Sequence, residues 1–351
     1  MKISIGTNIK EGPWGGGNLF AINLSEYLQK NNHKVVNNLY DNDIDLILIT
    51  EPRRTSESSA YTHLDVQNYI KYSNKDVLVA HRINECNERK NTKYVNKYLI
   101  EANKTADFTV FVSRWLKNLY LEQGLGATEN HVIYAGANKT IFNNKGFNKW
   151  DKKGKLKIVT HHWGANWNKG FEIYNQLDEL LDETFWKEKI EFMYIGNLPK
   201  GFHFKNVDVV SPLSGEPLAE KIKENNVYIT GSLFEPSGNH HIEGAQCGLP
   251  VLYLDSGGTP EYSNNYGLVF TKHNLPEKLK EIMNNYDLYF ERMKQYPFDS
   301  DKMCSEYEDL FIKMDEQKEK ILSSRTLILN GNSIERVYYQ WKKNRKYKKR
   351  K

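Results

Sequence analysis

The amino-acid sequence predicts an α/β fold of two doubly wound domains with a cleft between them. Short apolar runs alternate with amphipathic segments through the first half of the chain, which is typical of a parallel sheet covered by helices on both faces. Residues 143–155 are polar, rich in lysine and asparagine, and are predicted to be a linker. The alternation restarts directly after them, which predicts a second domain of similar size.

The first half carries the elements of one such domain. Residues 18–30 have apolar side chains spaced for one helix face, whereas residues 45–50 form a short apolar run typical of a buried strand. The predicted strands are 2–6, 45–50, 76–80, 108–112 and 132–134, and the predicted helices are 18–30, 94–106 and 115–122.

The second half repeats this order after the linker. Its predicted strands are 156–160, 190–195, 207–210, 227–230 and 249–254, and its predicted helices are 171–181, 218–225 and a short helix that ends at 244–248, with a late helix at 298–314. We therefore predict a first domain at 1–150, a second at 151–315, and an extension with a basic tail at 316–351.

The composition excludes several classes of protein. The 351 residues suit two domains, and 39% hydrophobic residues are enough to build two cores. Cys86, Cys247 and Cys304 are far apart and show neither disulfide nor zinc spacing, which favours a reducing compartment. No apolar run approaches the roughly 20 residues of a membrane span, and no signal peptide is recognisable. We expect a cytoplasmic protein.

Positive charge is concentrated at the C-terminus. The net charge is +5, but residues 342–351 hold eight Lys or Arg and no acid, so the rest of the chain is three charges below zero. Either this is a solvated, disordered tail, or it anchors the protein to an anionic membrane surface. Nucleic acid is the least favoured partner, because the body shows no basic and aromatic stripe.

The most informative segment lies between the strands predicted at 227–230 and 249–254. It contains Glu235 and Glu243 with seven residues between them, and Pro-Ser-Gly-Asn directly follows Glu235. In an open parallel sheet, a loop after a strand lies in the crevice where ligands bind, which is where we expect Glu235. The amides of Ser237, Gly238 and Asn239 would open the next helix, and a helix N-terminus suits phosphate.

With the flanking residues 247–250 and Gly257-Gly-Thr-Pro-Glu261, this segment resembles the glutamate–seven–glutamate motif of retaining glycosyltransferases of the large family 4. The resemblance covers residues 1 to about 315. It implies the GT-B fold of two Rossmann-like domains, whose last helix crosses back to the first domain. It assigns Glu235 to the transferred sugar and Glu243 to the nucleotide ribose. The alternative is that both glutamates lie on a solvated helix face.

A glycine-rich loop, residues 12–18, joins the first predicted strand to the first helix. It lacks the spacing of a dinucleotide-binding fingerprint, but consecutive glycines allow a ligand to approach the backbone closely. The resemblance places Gly15, Gly16 and Gly17 across the cleft from the donor pyrophosphate and sugar. A tight turn is the alternative.

A second candidate loop, residues 160–170, follows the first strand of the second domain. The resemblance assigns Lys169, which precedes a glycine, to the donor phosphates. Many family members carry another basic residue about five positions earlier, where this chain has Gly164. The second cation is therefore missing or comes from elsewhere, with His162 as a candidate. The adjacent histidines have no third metal ligand at a suitable spacing, so we expect no metal here.

Polar residues also follow the strand predicted at 76–80. The resemblance makes His81 a candidate near the transferred sugar, with a structural histidine as the alternative, while Arg82, Asn84 and Glu85 would face the acceptor. Asp41, Asp43 and Asp45 form a pattern that binds metal in the other glycosyltransferase fold. We interpret it here as a solvated entry to a strand.

Together with these features, the resemblance implies a metal-independent, retaining glycosyltransferase that moves a hexose from a nucleotide diphosphate sugar to an acceptor hydroxyl. The donor is a substrate, and no cofactor is expected. The acceptor would be a glycan or a lipid-linked molecule, and a peripheral membrane position is expected if the basic tail is an anchor. Two alternatives remain: a GT-B nucleotide-sugar epimerase, and a catalytically inactive sugar-nucleotide-binding protein.

Overall fold

The computed structural model describes residues 1–10, 15–126, 129–325 and 333–348. The first sheet has six strands in the order β2-β1-β3-β4-β5-β6, and every neighbouring pair is parallel. Its elements are β1 Lys2–Ile5, α1 Gly16–Lys30, β2 Lys34–Val36, β3 Leu46–Ile49, α2 His63–Tyr72, β4 Leu78–Ile83, α3 Asn87–Lys90, α4 Val95–Asn103, β5 Phe108–Phe111, α5 Arg114–Glu122 and β6 Glu129–Val132.

The second sheet also has six parallel strands, in the order β12-β11-β10-β7-β8-β9. Its elements are β7 Leu156–His162, a 3-10 turn Trp167–Lys169, α6 Phe171–Leu180, α7 Thr184–Lys189, β8 Ile190–Gly196, β9 Asp208–Val210, α8 Gly215–Lys223, β10 Val227–Thr230, α9 Asn239–Gln246, β11 Val251–Leu254, α10 Thr259–Ser263, β12 Gly267–Phe270, α11 Leu275–Asn284 and α12 Tyr286–Met293. Two parallel sheets with flanking helices confirm the predicted fold class.

The sheets form where the sequence is apolar on both faces. In β3, for example, Leu46, Ile47, Leu48 and Ile49 are all 0% exposed, as expected of a strand covered by helices on both sides. Three elements of the first half were not predicted: β2, α2 and the four-residue α3. β2 has only three residues, none of them buried, and α2 has a weak apolar pattern. The usable signal for α2 is its capping box, in which Thr62 and Asp65 bond reciprocally.

The last helices are α13 Ser300–Glu316, α14 Lys318–Ser324 and α15 Ser333–Lys348. α13 packs against α1, and its Met303, Tyr307 and Phe311 share one buried cluster with Ile3 and Phe20. The chain thus returns from the second sheet to complete the core of the first.

Beyond α14, the chain stays on the first domain. Arg325 donates to both carboxylate oxygens of the buried Asp107, at 2.8 and 2.7 Å. In α15, the Tyr339 ring lies 5.3 Å from the Tyr72 ring, and Lys343 donates to Asn42. The expectation of a disordered tail is therefore wrong for residues 342–348, which are helical. Within the described residues, no helix is both long enough and apolar enough to span a bilayer.

Candidate functional site

Two loops at the carboxyl ends of β7 and β10 build the centre of the candidate site. These strands are neighbours in the second sheet, so the loops that follow them meet at one edge. Lys169, in the 3-10 turn after β7, donates from Nζ to Oε2 of Glu235 at 2.6 Å. Both residues come from motifs that the sequence analysis singled out.

A second cation reaches Glu235 from the first domain. Arg89, in the short helix α3, places its Nε 3.3 Å from Oε1 of Glu235. Glu235 is only 4% exposed. Burial alone would raise the pKa of Glu235, but Arg89 and Lys169 outweigh burial and hold the pKa at about 2. Glu235 is therefore ionised at neutral pH, and the cations that hold it belong to opposite domains.

Lys169 and Arg89 respond differently to the same environment. Burial and the neighbouring Arg89 together lower the pKa of Lys169, and the Glu235 carboxylate offsets this only in part. The pKa of Arg89 is raised despite its burial, because Glu235 and Glu85 both lie beside it. Arg89 therefore holds its proton more firmly than Lys169 does in this environment.

The charges around Arg89 leave a positive surplus. Arg89 Nη1 lies 3.3 Å from Glu85, and Lys90 Nζ lies 2.9 Å from the same carboxylate. Three cations, Arg89, Lys90 and Lys169, thus face two carboxylates, Glu85 and Glu235. A partly desolvated group of this kind, with one net positive charge, suits an anionic ligand.

Backbone contacts fix α3 against the second domain. Asn168 donates from Nδ2 to the Arg89 carbonyl oxygen at 3.2 Å, and Cys86 Sγ lies 3.9 Å from the carbonyl oxygen of Phe234. Phe234 has a φ of +52°, an uncommon conformation for a bulky residue. Such strain directly before Glu235 is typical of a site whose geometry is held by its surroundings.

Glu243 lies on α9 and belongs to a separate chain of hydrogen bonds, which includes His161 and Tyr228. His161 Nε2 lies 2.9 Å from Oε2 of Glu243, and Tyr228 Oη lies 3.0 Å from His161 Nδ1. Tyr228 Oη accepts from the His161 amide at 3.0 Å, so the tyrosine proton is free to point at Nδ1. This assigns the imidazole proton to Nε2, which donates to Glu243 and orients its carboxylate.

His162 is held differently from its neighbour. Its Nε2 lies 2.7 Å from Tyr174 Oη, and its ring centroid is 4.4 Å from that of His240. Burial, with Lys169 and His161 nearby, lowers the pKa of His162 well below its usual value. The ring is uncharged at neutral pH, so the second cation at Glu235 is Arg89 and not His162. Contact between His162 and a ligand stays a prediction.

The N-terminus of α9 faces the glycine-rich loop across the cleft. A Cβ on Gly16 would lie 2.9 Å from the Asn239 side chain, so a larger residue would force that side chain to move. Gly238 has a φ of +74°, and a Cβ there would meet the His241 ring at 2.7 Å. Gly15 and Gly17 have open space at the Cβ position, and Ser237 is buried. Residues 12–14 of this loop lie outside the described part of the chain.

His81 lies inside the first domain. It is 0% exposed, its Nδ1 is 3.0 Å from Asn103, and burial lowers its pKa to about 4. Its neighbour Arg82 is also buried and stacks on the Phe20 ring at 3.9 Å. The histidine is thus packed as the structural alternative requires, and its contact with a transferred sugar remains a prediction.

The acidic residues before β3 are engaged by a lysine. Lys2 Nζ lies 2.6 Å from Asp41 and 2.8 Å from Asp43, and the Lys2 amide donates to Asp45 at 2.7 Å. Among the residues that the structure describes, no three His, Cys, Asp or Glu side chains are grouped to hold a metal ion.

Sequence reasoning missed Arg89 and His161. Arg89 lies in a helix of four residues, which has no periodic pattern; the available signal is its spacing of four from Glu85, with which it forms an ion pair. His161 was passed over for His162, although strand alternation points the two side chains in opposite directions.

Comparisons with known proteins show the fold. No protein-family model matches the chain, and no curated protein matches it in sequence. A glycosyltransferase from Rickettsia africae is similar in structure, with 13% identity, a TM-score of 0.65, and coverage of 89% of this chain and 98% of that one. Anabaena HepE in complex with UDP and glucose has 14% identity, a TM-score of 0.58, and coverage of 92% and 100%. The lipopolysaccharide outer core galactosyltransferase WaaB has 14% identity, a TM-score of 0.64, and coverage of 89% and 100%. The chain has the two-domain GT-B architecture of these glycosyltransferases.

Proposed function

We propose that this protein is a glycosyltransferase that moves a hexose from a nucleotide diphosphate sugar to an acceptor hydroxyl. One observation carries the proposal. Two partly buried cations, Lys169 and Arg89, converge from opposite domains on the buried carboxylate of Glu235, at the carboxyl ends of parallel strands. The structural similarity to HepE, which was solved with UDP and glucose, supports a nucleotide-sugar donor.

The chemistry of the reaction explains why cations are needed. When the bond between the sugar and the donor diphosphate breaks, negative charge develops on the leaving diphosphate. Lys169 and Arg89 stabilise that charge, together with the amides at the start of α9 and in the Gly15–Gly17 loop. These donors are already in place, so little reorganisation is needed when the charge appears.

Glu235 has an electrostatic role and does not act as an acid. Because its pKa is about 2, the carboxylate carries no proton to donate at neutral pH. It orients the sugar hydroxyls and favours the positive charge that develops on the sugar ring. It also keeps Lys169 and Arg89 in position while the site is empty.

Glu243 binds the nucleotide ribose. A carboxylate can accept hydrogen bonds from two adjacent hydroxyls. The hydrogen bond that His161 donates to Glu243 limits the orientations that this carboxylate can adopt. Retention at the anomeric carbon and independence from metal follow from the family resemblance, and the cation pair is the feature that would replace a metal ion.

The acceptor is a glycan or a lipid-linked molecule, bound on the first-domain side of the cleft. The proposal includes a peripheral position on an anionic membrane surface, which the basic residues 342–351 support.

The test is a thermal-shift screen with UDP, GDP and ADP and their sugars, followed by product analysis with the donor that binds. A ligand at about 100 times its dissociation constant adds about 2.7 kcal/mol of stability. We expect one base to be selected, and the sugar to appear on an acceptor or, without acceptor, as slowly released free sugar. An epimerised donor would favour the epimerase, and binding without any turnover would favour the inactive binding protein.

A further inference from the structure

The C-terminal helix α15 presents apolar side chains to solvent. We infer that this surface, the α15 stripe of Ile334, Val337, Tyr338 and Trp341, lies in the headgroup region of an anionic lipid bilayer and holds the first domain against it. The inference extends the peripheral membrane position included in the proposed function, but depends on none of the donor-site residues.

The α15 stripe follows one side of the helix. Its four members follow one another at steps of three, one and three positions along the chain, which places them within one helical face. Ile334 is 82% exposed, Val337 70%, Tyr338 60% and Trp341 53%. Such a contiguous group of exposed large apolar side chains marks an interaction surface.

The opposite side of α15 is the one that packs on the protein. Gln340 donates to the Tyr72 carbonyl oxygen at 2.9 Å, and Lys343 donates to Asn42 at 2.7 Å and Ser73 at 3.0 Å. The polar side of the helix therefore faces the first domain and the apolar side faces outward. An ordinary surface helix has the reverse arrangement.

Basic residues adjoin the α15 stripe. Lys342 and Arg345 are exposed, and the Arg345 guanidinium lies 4.8 Å above the Trp341 ring. The chain continues with further Lys and Arg to residue 351. Lys343 is the exception, since its side chain is buried against the first domain.

An anionic bilayer fits this surface better than a protein does. Tyrosine and tryptophan favour the membrane–water boundary, and a helix with one apolar face and basic residues lies in that plane. The positive charge favours an anionic partner, and a second copy of this chain carries a net charge of +5. Four side chains are also far fewer than the about 20–30 residues per side of a standard protein interface.

The experiment measures co-sedimentation of the full chain with vesicles of phosphatidylcholine alone and of phosphatidylcholine mixed with phosphatidylserine. The stripe variant combines Val337→Ser with Trp341→Ser. Its matched control combines Leu288→Ser with Phe185→Ser, which removes one exposed aliphatic and one exposed aromatic side chain from the second domain. A charge variant combines Lys342→Gln with Arg345→Gln.

We expect the parent and the matched control to bind the anionic vesicles and not the neutral ones. The stripe variant should bind at least tenfold more weakly, because each buried methylene contributes about 0.8 kcal/mol, or roughly fourfold. The charge variant should lose roughly fivefold per basic residue, and high salt should weaken binding of the parent. Circular dichroism and nucleotide binding should be unchanged in all variants, so failure here is distinguishable from failure of the donor site.

Three results would overturn the inference. One is equal vesicle binding by the parent and the stripe variant, and another is no binding by either. The third is a concentration-dependent dimer of the parent that the stripe variant abolishes while vesicle binding is unaffected, since the stripe would then be an interface between copies.

Discussion

Replacing Arg89 should weaken binding of the donor diphosphate and leave binding of the rest of the nucleotide nearly unchanged. In the Arg89→Ala variant, Glu235 keeps Lys169 and Glu85 keeps Lys90, so neither carboxylate is left without a cation. We therefore expect the variant to fold, with a modest loss of stability. The site loses the one cation that the first domain supplies to Glu235 among the described residues.

The expected loss of affinity follows from the contact that Arg89 gives up and the contact that it gains when the diphosphate binds. A hydrogen bond to a charged group contributes about 1.5–3 kcal/mol. Arg89 has to give up its contact with Glu235 when it binds a phosphate, which favours the low end of that range. We expect the dissociation constant of the nucleoside diphosphate to rise about tenfold, which corresponds to about 1.4 kcal/mol.

The assay is calorimetric titration with the nucleoside diphosphate and monophosphate of the base selected in the thermal-shift screen. Arg89→Ala should weaken binding of the diphosphate and leave binding of the monophosphate nearly unchanged. Arg89→Lys should bind the diphosphate with intermediate affinity, because lysine offers a single point charge. Lys90→Ala is the matched control, since Lys90 contacts Glu85 and is half exposed. Equal losses for both nucleotides, or no loss for the diphosphate, would refute the role given to Arg89.

Further predictions concern the two glutamates, metal and acid stability. Glu243→Ala should weaken binding of the monophosphate and of the diphosphate alike, by about 1–3 kcal/mol in the same titration, because the ribose hydroxyls lose their hydrogen-bond acceptor. Glu235→Gln should bind donor but turn over more slowly in a product assay, and normal turnover would contradict its placement. Activity should survive saturating EDTA, whereas complete loss restored by manganese would contradict the cation pair. The pKa of His241 falls from 6.5 to about 4, chiefly because of burial, so the unfolded chain binds more protons between these values and stability drops as pH falls through this window. Between pH 7 and 5 His241 should account for about 2 kcal/mol of lost stability, so urea unfolding of His241→Gln should show a smaller pH dependence than the parent.

Local sequence was enough to bring Lys169 and Glu235 together. Each follows a strand with a clear apolar pattern, and adjacent parallel strands deliver their following loops to one edge. Arg89 was beyond this reasoning, because its place at Glu235 depends on how α3 of the first domain docks on the second. No pattern within one domain encodes that contact.

The helix α15 was missed for a different reason. Periodicity reveals an apolar face whether or not that face is packed, and here Tyr339, Gln340 and Lys343 provide the packed side. The apolar residues Ile334, Val337, Tyr338 and Trp341 do have helical spacing, but the many charged residues around them drew attention to the basic tail, and the spacing was overlooked.

The return of α13 to the first sheet has a consequence for biosynthesis. Phe20 and Ile3 leave the ribosome long before Tyr307 and Phe311, but all four side chains share one buried cluster. While the second domain is translated, part of the apolar surface of the first domain stays uncovered. That surface is buried only when α13 emerges from the ribosome. Nascent chains halted near residue 298 should therefore be the form most dependent on chaperones, even though all twelve described strands have by then been made.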